Sequence, residues 1–134
     1  MKFFLSHKEE TYLNYKKINE SELDSMDGKI SGELLILPGT VESKNDTKQF
    51  LTKIKKACSK DCNIIFNFVN IYQLFNDVAF HRIDVGVGHL VCRAIEKPFN
   101  VQAASNCVRE CNFKIQRISL SDQSKFIRIE CTNE

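Results

Sequence analysis

The sequence predicts a three-layer α/β fold whose mostly parallel sheet ends in an antiparallel hairpin. Three observations carry this. Gly32-Glu33-Leu34-Leu35-Ile36-Leu37-Pro38-Gly39-Thr40 holds an apolar run too short for a helix core and without alternation. Such a run reads as a central strand covered on both faces, as parallel sheets require. Cys62 to Val69, rich in β-branched and aromatic residues, reads as a second central strand. The stretch between them has helical periodicity, and the end of the chain alternates with period two.

Taken in order, Lys2 to Leu5 make the first strand. The loop after it, Ser6-His7-Lys8-Glu9-Glu10, contains no glycine. Tyr12 to Ile18 alternates weakly, as an edge strand does, with lysines that discourage pairing between chains. Ser21 to Met26 reads as a helical turn capped by Asn19 or Ser21 and ended by Asp27-Gly28-Lys29. Pro38-Gly39 stops the organising strand, since proline lacks a ladder donor and glycine permits a sharp turn. Asp46 and Gln49 have capping-box spacing at the start of a helix. Phe50, Leu51, Ile54, Ala57 and Cys58 form its inner stripe, and Lys48, Lys53, Lys55, Lys56 and Lys60 its solvated outer face.

After the second central strand, a helix is expected with Ile71, Leu74, Phe75 and Val78 facing inward. Phe80 to Cys92 reads as a loop or a broken helix, because Gly86 and Gly88 weaken helical structure by ~1 kcal/mol each. Lys97-Pro98-Phe99 is a linker. Asn100 caps a last helix with the stripe Ala104, Cys107, Val108 and Cys111. Phe113 to Leu120 then pairs through the loop Ser121-Asp122-Gln123-Ser124 with Lys125 to Thr132.

Composition narrows the class. At 134 residues the chain suits a single domain, residues 1–134, whose core needs no metal or disulfide staple. A net charge of +2 gives no global attraction to nucleic acid or a membrane surface. No apolar run approaches the ~20 residues that span a bilayer. The apolar run Phe3-Phe4-Leu5 is far shorter than the ~7–15 residues of a signal peptide. The cytoplasm is therefore the expected location, where the six cysteines stay thiols. Cys58, Cys107 and Cys111 fall on apolar helix faces, and Cys131 alternates in phase with Ile127 and Ile129. Buried thiols of this kind act as small hydrophobes.

Several stretches together resemble a known family. Met1 to Ser6 followed by Tyr12 to Ile18, Glu33 to Leu37 with its helix, and Asn63 to Phe68 followed by Ile71 to Leu74 are similar, in order, to parts of class I S-adenosylmethionine (SAM)-dependent methyltransferases of the small bacterial and phage type. Arg82-Ile83-Asp84 and Asn106 to Ile115 resemble that family's closing helices and hairpin. The resemblance implies a Rossmann-like sheet, with Glu33 to Leu37 as the fourth strand and Asn63 to Phe68 as the fifth. The family's third strand and helix are missing, because about fourteen residues separate the second strand from the fourth.

The same resemblance implies a pocket, and there the sequence departs from the family. Its first loop carries Gly-x-Gly, where absence of a Cβ lets the backbone approach the cofactor's methionine moiety. Ser6, His7 and Lys8 occupy that place with side chains. The family's second strand ends in an acidic residue that holds the ribose hydroxyls, and Glu20 stands one or two positions late. Pro38, Gly39 and Thr40 complete the expected, vestigial cofactor-binding pocket. The expectation is therefore no catalytic residues, no metal and no cofactor.

Other candidates have plainer readings. His7 to Glu10 reads as a solvated loop, although its place at the strand ends suits a site. Gly86-Val87-Gly88 lacks the third glycine and the preceding strand of a dinucleotide fingerprint. Cys58/Cys62 and Cys107/Cys111, with His81 and His89, have ligand-like spacing for zinc, yet they fall largely on core-facing stripes. His81-Arg82 with Asp84 is a polar cluster without a nucleophile. The lysine face of the helix lacks the aromatic interleaving of a nucleic-acid surface.

Two functional classes follow. One is a non-catalytic methyltransferase-like interaction or assembly module, with a protein partner or self-association through edge strands and apolar surface. Were it phage-encoded, it would be virion-associated. The alternative is an active small SAM-dependent methyltransferase with an atypical pocket. Neither involves a membrane, and nucleic acid ranks behind both.

Overall fold

The computed structural model describes residues 2–73 and 98–133. Leu34, Leu35 and Ile36 are apolar in succession, so the strand they form needs cover on both faces. It has that cover. Strands β1 (Lys2–Leu5), β2 (Lys16–Lys17), β3 (Glu33–Ile36), β4 (Asn63–Val69), β5 (Phe113–Ser121) and β6 (Phe126–Asn133) form one sheet. Their order is β2-β1-β3-β4-β6-β5. The first four run parallel, and β6 and β5 add antiparallel. Among the described residues no strand lies outside β2.

Register divides the side chains between two faces. Phe3 and Leu5, Leu34 and Ile36, Ile64, Phe66 and Phe68, and Ile127, Ile129 and Cys131 share one face and the larger core. Helix α1 (Thr47–Ala57), helix α2 (Val101–Glu110) and a 3-10 helix (Glu20–Ser25) bury apolar residues in that core. Phe4, Leu35, Leu37 and Ile65 form a second cluster on the opposite face, with Tyr15 packed against it.

Local chemistry sets the helix ends as expected. The Asp46 carboxylate accepts from the Gln49 N–H at 3.0 Å, and the Asn100 side chain accepts from the Ala103 N–H at 2.7 Å. Each satisfies a donor that the first helical turn leaves without a partner. In the 3-10 helix the Glu22 side chain reaches back to the Asn19 N–H at 3.2 Å. The predicted stripe of α1, Phe50, Leu51, Ile54, Ala57 and Cys58, is entirely buried.

Three expectations need correction. Tyr12 to Ile18 yields a strand only at Lys16–Lys17. Residues 12–15 turn instead, with the Tyr15 N–H donating to the Tyr12 carbonyl at 3.1 Å and Asn14 at φ 67°. The aromatic rings are the reason: Tyr12 packs on Phe4 and edge-on to Tyr15, which draws this stretch over the sheet face. Lys55 does not belong to a purely solvated face. Its ammonium donates to the Asn112 carbonyl and the Asn133 side chain, both at 2.8 Å, and lies over the Phe113 ring. The hairpin ladder extends beyond Leu120 and Thr132 to Ser121 and Asn133, with a bulge between Ile115 and Arg117. Leu74, Phe75, Val78 and the whole of residues 80–92 lie outside the described residues.

Two outcomes follow from this packing. Phe66 is fully buried and packs edge-on to Phe113, so Phe66→Ala should cost about 3–5 kcal/mol in urea unfolding. Tyr15 donates to the Glu33 carboxylate, and that hydrogen bond, followed by burial, pushes its pKa up to about 12. Its contribution is whole below the ordinary tyrosine value and is lost as pH rises through about 12. Ultraviolet titration should show a late phenol that Tyr15→Phe removes.

Candidate functional site

In open α/β sheets a ligand crevice forms beyond the carboxyl ends of the strands, where successive connections leave for opposite faces. Here that place lies between β1 and β3. The chain leaves β1 through residues 6–15, whose Tyr15 covers the Phe4 face. It leaves β3 through residues 37–46 into α1, on the Phe3 face. The loops after β1 and β3 thus meet at the ends of these strands.

Pro38 and Gly39 build the far wall. Thr40 N–H donates to the Leu37 carbonyl at 3.2 Å. Pro38 and Gly39 are the two central residues of this turn, and Gly39 has φ 86°. That is the type II arrangement, in which proline presets the first central residue and glycine tolerates the positive φ of the second. The turn buries Thr40 to 1 % exposure. Ser43 then reinforces it, donating through its hydroxyl to the Thr40 carbonyl at 2.6 Å.

The near wall is Ser6, His7 and Lys8. The His7 N–H donates to the Thr40 hydroxyl oxygen at 3.2 Å, and its ring Nδ1 lies 3.5 Å from the same atom. The Leu37 N–H donates to the Leu5 carbonyl at 3.0 Å. The chain therefore bridges its own crevice at the strand ends. Ser6 donates to the Glu10 carboxylate, and Lys17 donates to the Lys8 carbonyl at 3.1 Å, so both ends of this loop are tethered.

Glu20 joins a different set. It opens the 3-10 helix and pairs with Lys44 at 2.6 Å, whose ammonium also lies 5.0 Å from the Phe50 ring centroid. The two charges line a polar groove of about 370 Å³ with Asp46, Gln49 and Lys53. Of the predicted pocket residues, then, His7 and Thr40 meet, Ser6, Lys8, Pro38 and Gly39 flank them, and Glu20 is engaged by a lysine.

Sequence reading missed two residues that brace this end of the sheet. Glu42 is 1 % exposed, and its carboxylate accepts from the Val69 N–H at 2.7 Å, tying the loop after β3 to the end of β4. Asn67, also buried, donates to the Ile36 carbonyl at 3.0 Å. For Asn67 the available signal was a polar residue inside an apolar run, whereas Glu42 stands in the polar stretch from Thr40 to Asp46, which gives no such signal.

The cysteines pack rather than reach the site. Cys58, Cys62, Cys111 and Cys131 are buried and reduced, and Cys107 is half-buried. The Cys58 thiol is hydrogen-bonded to Cys62; that bond and burial raise the Cys58 pKa, and the same bond lowers the Cys62 pKa against the effect of burial. Burial pushes Cys131 up to about 12. Among the described residues no cluster of three His, Cys, Asp or Glu side chains is placed to hold a metal. His81, Arg82, Asp84, Gly86, Gly88, His89 and Cys92 lie outside the described residues.

Solved structures share this architecture. A SAM-dependent methyltransferase from Thermotoga maritima superposes with a TM-score of 0.59 at 14% identity, over 90% of this chain and 63% of its own. One from Aquifex aeolicus gives 0.58 at 8% identity, over 81% and 48%. LepI in complex with SAM gives 0.60 at 6% identity, over 99% and 36%. The fold is that of class I SAM-dependent methyltransferases. The chain spans less than two thirds of the length of each of these methyltransferase-fold structures. No family model matches the sequence, and no curated protein does. No helix among the described residues is long and apolar enough to cross a membrane.

The bridge across the methyltransferase-fold crevice is testable by stability. Thr40→Val keeps the side-chain volume but removes the acceptor for His7, and should cost about 1 kcal/mol in urea unfolding. Thr40→Ser should retain most of that stability.

Proposed function

We propose that this chain is a non-catalytic methyltransferase-like domain acting as an interaction or assembly module. The observation that supports it best is the bond from the His7 N–H to the Thr40 hydroxyl, which spans the crevice where this fold keeps its ligand. A nucleoside cofactor in that position would displace the bond or find it in the way. The surrounding residues point the same way. Ser6, His7 and Lys8 carry side chains where a glycine loop would leave room for a cofactor, and Glu20 is held by Lys44. In this reading the residues present do not fit SAM, and no chemical step is assigned to them. The five cysteines among the described residues are all free, which suits a reducing compartment, so the cytoplasm is the location that goes with the proposal.

The alternative, an active small methyltransferase, draws support from the SAM-dependent enzymes among its structural neighbours. Calorimetric titration with SAM and S-adenosylhomocysteine decides between the two. The module reading expects no heat of binding, or a Kd weaker than about 1 mM, corresponding to roughly −4 kcal/mol. Micromolar binding of either nucleoside overturns it.

A further inference from the structure

The outer edge of the sheet carries a pair of exposed apolar side chains. Strand β5 ends the sheet, and among the described residues nothing pairs with its outer side. Ile118 is 36 % exposed and Leu120 49 % exposed. The bulge at Gln116 returns both to the face of Ile129 and Ile127, their partners on β6. An open edge of this length with apolar side chains invites strand addition.

We propose that this edge is a dimerisation surface, on which a second copy of the chain adds its own β5 antiparallel with Ser119 opposite Ser119. The sequence is self-complementary in that register. Residues directly opposite on antiparallel strands lie on one face. Ile118 therefore meets Leu120 of the second copy, and the reverse pair forms symmetrically, giving a cluster of four apolar side chains. On the other face Ser119 meets Ser119, and Arg117 meets Ser121. The two Arg117 side chains stand four residues apart along the ribbon, about 14 Å at ~3.4 Å per residue. That exceeds the Debye length of about 8 Å at physiological salt. Arg117 also faces Glu130 across the hairpin.

Neighbouring registers are worse. Centring on Ile118 leaves Leu120 opposite the bulged Gln116, and centring on Arg117 opposes two guanidiniums. At the other end of the sheet, β2 has only two residues, both lysine. Pairing β5 with β5 is isologous and closes at two copies.

This inference takes its biological role from the module reading above and names the partner, but its test is separate from cofactor binding. The overlap is short, so the interface sits at the small, weak end of the range. Sedimentation equilibrium from about 1 to 200 µM, a span chosen for a weak contact, should show the mass rising from 15.4 kDa toward twice that value. Leu120→Lys should return the protein to monomer with its circular dichroism unchanged. Ser119→Cys should form an interchain disulfide under mild oxidation, since opposed antiparallel residues meet disulfide geometry. Ser121→Cys and the unaltered protein should not. A mass fixed at 15.4 kDa across the range overturns the proposal. So does a dimer indifferent to Leu120→Lys, or cross-linking as strong at residue 121 as at 119. Failure of the dimer leaves the calorimetric result untouched, and nucleoside binding leaves the dimer untouched.

Discussion

The structure depends on one constraint: β3 and its parallel neighbours must be covered on both faces. Leu34 and Ile36 on one side, and Leu35 on the other, leave no face for water. The 3-10 helix and α1 cover one face, and the turn through Tyr12 and Tyr15 reaches across part of the other. Because β1, β3 and β4 pair parallel and in close register, their carboxyl ends emerge together. Loops of opposite direction therefore meet between β1 and β3, whatever their sequences. Topology sets the position of the crevice, and the loop residues determine what becomes of it.

In this chain the loop residues bind each other. The His7 N–H is taken up by Thr40 and the Lys8 carbonyl by Lys17, while the Leu37 N–H continues the ladder to the Leu5 carbonyl. Glu42 and Asn67 do the same for β3 and β4 from within the core. Each hydrogen bond between buried polar groups stiffens a site, since breaking it leaves a desolvated donor or acceptor behind. The strand ends therefore resemble a brace more than a mouth.

Much of this architecture was legible in the residues. Runs of apolar side chains declared β3 and β4, periodicity declared α1 and α2, and Asp46 and Asn100 marked their first turns. Pro38-Gly39 named its own turn. What escaped was tertiary. Tyr12 and Tyr15 have strand-like spacing, but their rings lie on the sheet face, and no local pattern says so. Glu42 looked like an ordinary loop carboxylate until β4 supplied its donor from 27 positions away. Lys55 fitted a solvated face by periodicity, yet its amine reaches residues contributed by the far end of the chain. The contact between His7 and Thr40 required knowing that residues 33 positions apart touch.

The loop between β5 and β6 carries a consequence of its own. Asp122, Gln123 and Ser124 all have positive φ, though none is glycine, and each such residue costs roughly 1–2 kcal/mol. Asn70, at the end of β4, offsets this by donating from its side chain to the Ser124 carbonyl at 3.0 Å and from its backbone to the Lys125 carbonyl at 2.9 Å. The loop that joins the last two strands is therefore held in part from outside the hairpin, by a residue that follows β4. The rim of the sheet leans on its centre, and a substitution at residue 70 removes that support.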